Sequence, residues 1–331
     1  MTGLVRVEAR RFRYRAAIRW LALLSVVAAL AVVAGVVASV RPPSAEAVAS
    51  AEQQVALAQE DWEENGDQYV ADCLSGEDQE RATNPDVDWG CDSLEPRLEQ
   101  YVPVQPTFAE HAPGWLSGAT VLVLLLAFAS GVTFVTAELA TGALGTWLTF
   151  VPRRGRVYAS KVVVAGVGVL VPAAAALAVT VAGSWAAAAL QDTVGDVTAE
   201  TWRALGGQAA RTLVAAAVLG AVGAALGFLL RSAAAALGAG IGWLLLVDGV
   251  LAGILPALQP WTLRLSLEAW LLAGTTYWVP EACPPLDGAA QAGVCTGERT
   301  LSMLHGGVLL AVVAALLVAL GAVVLRRRDV D

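Results

Sequence analysis

Residues 145–161 read "GTWLTFVPRRGRVYASK", and they place Arg153, Arg154, Arg156 and Lys161 around or just after Pro152. Apolar blocks lie on both sides, over 115–137 and 158–188. A helix needs about 20 mostly apolar residues to cross a hydrocarbon core, and both blocks meet that length. A basic, proline-broken segment between two such blocks is a turn at a membrane surface. The chain leaves the bilayer and re-enters it here.

The same criterion applied outward finds four more blocks, at 18–40, 209–230, 233–255 and 303–325. The 331 residues are 57% hydrophobic with a mean hydropathy of +0.62, too apolar for a water-soluble domain. The expected fold is an all-α polytopic membrane protein. It has six transmembrane helices and a helical, disulfide-held extracytoplasmic domain after the first span. The third block is over-long and carries Pro172, which predicts a kink or overhang and not a seventh span. The first follows a basic lead, "RVEARRFRYRAAIRW", but runs apolar from Trp20 to Val40. A signal core covers only about 7–15 residues, so this block is expected to be a retained anchor.

Charge sets the expected orientation. Of 29 acidic residues, 17 fall within 41–114, beside only Arg41, Arg81 and Arg97. Arginines crowd the N-terminal lead, the 153–161 segment and the tail 326–331, and Arg231 sits between blocks four and five. The positive-inside rule therefore predicts a multi-pass cell-membrane protein with both termini in the cytoplasm.

That orientation puts all four cysteines outside, where disulfides persist. Cys73 and Cys91 belong to the acidic segment, and Cys283 and Cys295 to the loop 256–302. Three connectivities are open. The two local pairs each close a short loop and are the expected ones. A zinc site would want a tight C-x-x-C pair, which these spacings lack.

Residues 1–17 suit an interfacial helix with Leu4, Val7, Arg11 and Tyr14 on one side and arginines around the rest. Simple charge anchoring would satisfy the same pattern. Residues 44–70 favour a polar helical stalk, and the Gly- and Pro-punctuated stretch after it a small looped cap. An outer loop at 189–208 precedes the fourth span, and Arg231–Ser232 leaves room only for a tight turn between the fourth and fifth. Within 256–302, a span through 263–280 would bury Arg264 and Glu268, so a short interfacial or re-entrant helix with its tryptophans at headgroup level is expected. Small residues such as Gly220, Gly223, Gly227, Gly238 and Gly242 permit close helix contact, although alanine- and glycine-rich composition alone would supply them.

Chemistry is sparse. A P-loop needs G-x-x-x-x-G-K-[ST], but the single lysine, Lys161, follows "RVYAS". His111 and His305 sit near the outer ends of spans with no metalloprotease or nucleophile-elbow motif, and read as interfacial polar residues. No metal site and no catalytic residue is expected, nor any cofactor in this chain. Asp248, in "GWLLLVDGVLAG", is the clearest acid within a span and hence a functional candidate, with structural pairing to Arg211 or Arg264 as the competing reading.

From Glu138 to Phe150 the chain can form an amphipathic helix with Leu139, Ala143, Trp147 and Phe150 on one side, stopped by Pro152. Glu138 at the end of span two, followed by "GTWLTFVPRRGRVYASK" and the start "LVRVEARRFRYR", resembles the ABC-2 type permeases, the membrane subunits of ABC transporters, in their actinobacterial form. The resemblance implies a transport subunit that pairs with a second permease chain, identical or homologous, and with two cytoplasmic ATPase subunits that bind ATP and magnesium. It implies that segment 138–157 is a coupling helix loop seated on the ATPase, which by motif position assigns Glu138, Thr141, Gly145, Thr146, Pro152, Arg153, Arg154, Arg156 and Lys161 to that contact. The N-terminal helix, with Arg6, Glu8, Arg10, Arg11 and Arg13, would lie close by among membrane lipids. The long cysteine-bearing segment departs from the simplest members, whose first outer loop is short.

Export driven in trans is thus the expected function, with no enzyme activity and no nucleic-acid partner. A non-transporting anchor or regulator whose cap binds a partner protein is the alternative. Ion-coupled secondary transport would call for several intramembrane acids and an internal repeat, neither of which is evident.

Overall fold

The computed structural model describes residues 2–82, 84–150, 153–282 and 294–327. Among these residues, six helical segments are long and apolar enough to cross a membrane: Ala16–Ser39, Phe108–Ala140, Arg154–Ala189, Ala199–Leu230, Ala233–Ile254 and Met303–Arg327. The polytopic helical fold expected from the apolar blocks is present.

Helix α1 (Thr2–Tyr14) ends where Arg15 adopts an extended backbone, φ −72° and ψ 127°, and α2 (Ala16–Ser39) begins immediately. The arginine-rich lead and the apolar run are therefore two helices meeting at one joint. Helix α2 buries Ile18, Ala29 and Val36 while Trp20, Leu23, Leu24, Val27 and Leu30 stay exposed, as a lipid-facing stripe requires.

After Pro42 and Pro43 break the chain, the Ser44 hydroxyl accepts from the Ala47 amide at 3.1 Å and caps α3 (Ala45–Arg81). At about 1.5 Å per residue this polar helix is roughly 55 Å long. It outruns the expected stalk, since the segment read as a looped cap remains helical through Gly76 to Arg81. The Trp89 ring explains the glycine, because it occupies the space a Cβ at Gly76 would take. The cap then folds back on α3 through the Cys73–Cys91 disulfide, with Cα atoms 5.8 Å apart, and through Glu77, which pairs with Arg81 and accepts the Trp89 amide at 2.9 Å. Cys295 is also disulfide-bonded, and Cys283 lies outside the described residues. The return passes α4 (Leu98–Tyr101), and Gln105 donates to the Val40 carbonyl at 3.1 Å, fixing the cap's exit beside the end of α2.

Helices α5 (Phe108–Ala140) and α9 (Ala199–Leu230) form the centre of the bundle. A Cβ at Gly131 would overlap the Gly220 carbonyl, and one at Gly223 would overlap that of Phe128. The backbones meet directly, which resolves part of the small-residue question in favour of packing. Gly238 and Gly242, by contrast, have open space where a Cβ would go.

The third span is α7 (Arg154–Gly168) followed by α8 (Leu170–Ala189). Pro172 has no N–H to offer the carbonyl four residues earlier, and the break falls there, at Gly168–Val169. The chain turns from α9 into α10 (Ala233–Gly242) through Arg231, whose φ is +56°, and Ser232 caps the new helix. A widened turn over Trp243–Leu251 and a short α11 (Ala252–Ile254) complete this span.

Segment 256–302 holds more than the single short helix expected. A tight turn at Pro256–Trp261 leads to α12 (Leu263–Leu272), and then strands β1 (Gly274–Ala282) and β2 (Val294–Ser302) pair antiparallel, Gly274 opposite Ser302. The "TTYWV" run of Thr275–Val279 is β-branched and aromatic, which is strand chemistry. Helix α13 (Met303–Arg327) closes the bundle.

Candidate functional site

At the end of the bundle opposite α3, a short helix α6 (Ala143–Phe150) leaves α5 after Gly142, whose φ is +68°. Leu144 plugs it into the core, while Thr146 and Thr149 face outward. Beyond α6, Arg153 and Arg156 are exposed and Arg154 is half-buried. Pro152 lies outside the described residues.

Behind this surface sits a cluster of buried charge. Lys161, in the second turn of α7, is completely buried, and its Nζ lies 2.9 Å from Glu8 Oε2 and 2.6 Å from Glu138 Oε2. Glu8 comes from α1 and Glu138 from the last turns of α5, so one ammonium joins three helices. Arg11 Nη1 approaches both carboxylates at 3.9 Å, and Arg15 Nη1 reaches Glu138 Oε1 at 3.9 Å while donating to the Phe134 carbonyl at 2.7 Å. The Phe134 ring lies 4.6 Å from Lys161 Nζ, and the Trp147 ring of α6 lies 4.2 Å from the Arg11 guanidinium carbon. Through Trp147 the network extends to the exposed helix.

Removing these ions from water costs several kcal/mol each unless they pair closely. Three cations around two carboxylates supply that pairing. Even so, Glu8 Oε1, Glu138 Oε2 and Trp147 Nε1 make no aligned hydrogen bond among the described residues, so Glu138 Oε2 meets Lys161 as an ion-pair contact. The site is held by charge and burial more than by directional bonds.

Several expectations shift. Glu138 and Lys161, assigned by resemblance to a partner-facing surface, are inside the protein, at 8% and 0% exposure. Thr141, Thr146, Arg153 and Arg156 are exposed and Gly145 is partly so. The inward face of α1 is Val5, Glu8 and Phe12, which leaves Val7 and Tyr14, on the side expected to lie against the inner leaflet, exposed. Arg6, Arg10 and Arg13 point away from the bundle core. The Glu8 partnership went unread, although one acid in an arginine-rich lead and one lysine in the whole chain were its visible traces.

Asp248 is buried but pairs with neither arginine side chain proposed for it. Its carboxylate accepts the amides of Leu263 at 3.3 Å and Arg264 at 2.7 Å, capping the N-terminus of α12. Arg211 Nε donates instead to the Leu271 carbonyl, and Trp270 Nε1 to the Arg211 carbonyl. His305 contacts the Pro260 carbonyl and the Trp261 ring, and His111 lies against Trp115.

Comparison with family models, with curated proteins and with solved structures yields no match.

Proposed function

We propose that this chain is the transmembrane permease subunit of an ABC-2 type transporter, exporting its substrate with energy from ATP hydrolysed, with magnesium, on separate subunits. In this reading α1, α6 and both termini are cytoplasmic, the α3 cap is extracytoplasmic, and two such chains, identical or homologous, meet two ATPase subunits in the cell membrane. The observation that carries the reading is the Lys161 junction. An exposed short helix, α6, is tied through Trp147 and Arg11 to an ion cluster joining α1, α5 and α7. A force applied to α6 would reach three helices without passing through a flexible loop. That is the mechanical need of a membrane subunit whose motor is another chain.

The ATPase contact is then Thr146, Thr149, Arg153 and Arg156, with Lys161 and Glu138 as positioning residues behind it. The test is affinity purification of the full chain from its own cells. Recovery of a P-loop ATPase, and its loss in the Arg153→Glu/Arg156→Glu variant with the bundle still folded, is expected. Purification without any ATPase sinks the proposal.

One feature favours a second reading, in which the cap binds a partner protein and the bundle is an anchor. Leu57, Tyr69 and Leu74 are exposed on α3, a polar helix outside the bundle. A partner captured by the full chain and lost in Leu57→Ser/Leu74→Ser, with no ATPase recovered, selects it.

A further inference from the structure

Helix α1 presents three angular faces. Val5, Glu8 and Phe12 turn inward. Arg6, Arg10 and Arg13, spaced four and three residues apart, form one exposed ridge, and no ion pair engages them among the described residues. Between that ridge and the inward face lie Val7 and Tyr14, 41% and 68% exposed and seven residues apart. One extended residue, Arg15, separates α1 from the first span, whose Trp20 is 69% exposed. Helix α1 is therefore held at the level where α2 enters the membrane. It carries an apolar stripe beside a row of arginines that make no ion pair among the described residues, with the Arg13 guanidinium carbon 6.0 Å from the centre of the Tyr14 ring.

We propose that this ridge binds anionic phospholipid headgroups, with Val7 and Tyr14 seated at the acyl boundary. The exposed apolar stripe favours a lipid surface over an acidic protein or a nucleic acid, since a soluble polyanion would leave Val7 and Tyr14 in water. Each arginine near an anionic surface is worth about a fivefold change in binding, so three give on the order of a hundredfold. The inference is independent of what the protein transports or whether it transports.

The test is hydrogen exchange of the α1 amides in the full-length protein, reconstituted in nanodiscs of phosphatidylcholine alone or of phosphatidylcholine with phosphatidylglycerol. Slower exchange in the anionic discs is expected, by up to on the order of a hundredfold, weakening at high salt. Arg6→Gln/Arg10→Gln/Arg13→Gln should abolish the difference, and the corresponding lysine triple variant should keep it. Arg41→Gln/Arg81→Gln/Arg97→Gln, with the same loss of charge at the opposite end, should leave it intact. Equal exchange of the wild type in the two discs overturns the proposal, as does a difference that survives the glutamine triple variant. Glycerol phosphate, polyglutamate or a short RNA giving the same protection in neutral discs also overturns it, and assigns the ridge to a soluble anion. Should the glutamine variant unfold α1, phosphatidylglycerol retained by the lysine and wild-type proteins in native mass spectrometry decides: preferential retention supports the proposal, and none refutes it.

Discussion

Lys161 Nζ lies 2.9 Å from Glu8 Oε2, across 153 residues of sequence, with both side chains fully buried. The ammonium makes the one close contact to each of two carboxylates, so its removal leaves two buried anions with only the 3.9 Å approaches of Arg11 and Arg15, whereas removal of Glu8 leaves Glu138 still paired with Lys161. Lys161→Met is therefore expected to cost about 3–5 kcal/mol and Glu8→Gln distinctly less. Glu8→Gln/Glu138→Gln/Lys161→Met should recover much of the loss, because no charge then remains on these three residues. Thermal unfolding of the purified protein in detergent checks the order. Equal effects of the two single variants would contradict it.

The α5–α9 crossing depends on the absence of side chains at Gly131 and Gly223, where a Cβ would meet a carbonyl oxygen of the facing helix. Gly131→Ala has no flexible neighbour to displace, so the helices must separate, and a loss of about 1–3 kcal/mol is expected. Gly238→Ala meets nothing within 4 Å. It should be neutral or stabilising by up to about 1 kcal/mol through helix propensity. Comparing the two melting temperatures separates glycine needed for approach from glycine due to composition.

The sequence made the six spans legible because each is an unbroken apolar length, and the bilayer imposes that length locally. Pro172 likewise announced its break, since a missing N–H acts within one turn. The Glu8–Lys161 pair was not legible, because nothing local to residue 8 specifies a partner in the third span. The β1–β2 hairpin was lost to its surroundings, as a short aromatic and β-branched run between helices reads equally well as an interfacial helix. Gly76 looked like loop punctuation until Trp89 supplied its reason. Of the residues expected on the surface around α6, Thr141, Thr146, Arg153 and Arg156 are exposed, whereas the two most conspicuous charges, Glu138 of α5 and Lys161 of α7, are interior.

Asp248 couples the fifth span to α12 through two backbone amides, so its loss should be felt locally. Asp248→Ala removes an acceptor from a helix N-terminus, worth about 0.5–2 kcal/mol. Faster hydrogen exchange over 263–272 is expected, with little change in the melting temperature of the bundle. If the variant instead abolished transport with α12 still protected, Asp248 would act on a substrate or ion and not as a cap.

The Cys73–Cys91 disulfide spans 18 positions of a domain whose own apolar core is small. Closing a loop of that size restricts the unfolded chain by about 3 kcal/mol. Glu77, which is 3% exposed, adds a second tie beside the disulfide, accepting the Trp89 amide and pairing with Arg81. Cys73→Ser/Cys91→Ser should therefore loosen residues 82–107 and the last turns of α3 without unfolding the spans. Limited proteolysis checks this: cleavage within 75–105 should accelerate strongly while the helical signal of the bundle melts at an unchanged temperature. Adding Glu77→Gln to the double serine variant should open the segment further, because a neutral amide is a weaker acceptor and forms no ion pair with Arg81. A bundle melting temperature that fell with the disulfide would mean that the cap braces the spans through the Gln105–Val40 bond, and would move the cap from appendage to structural clamp.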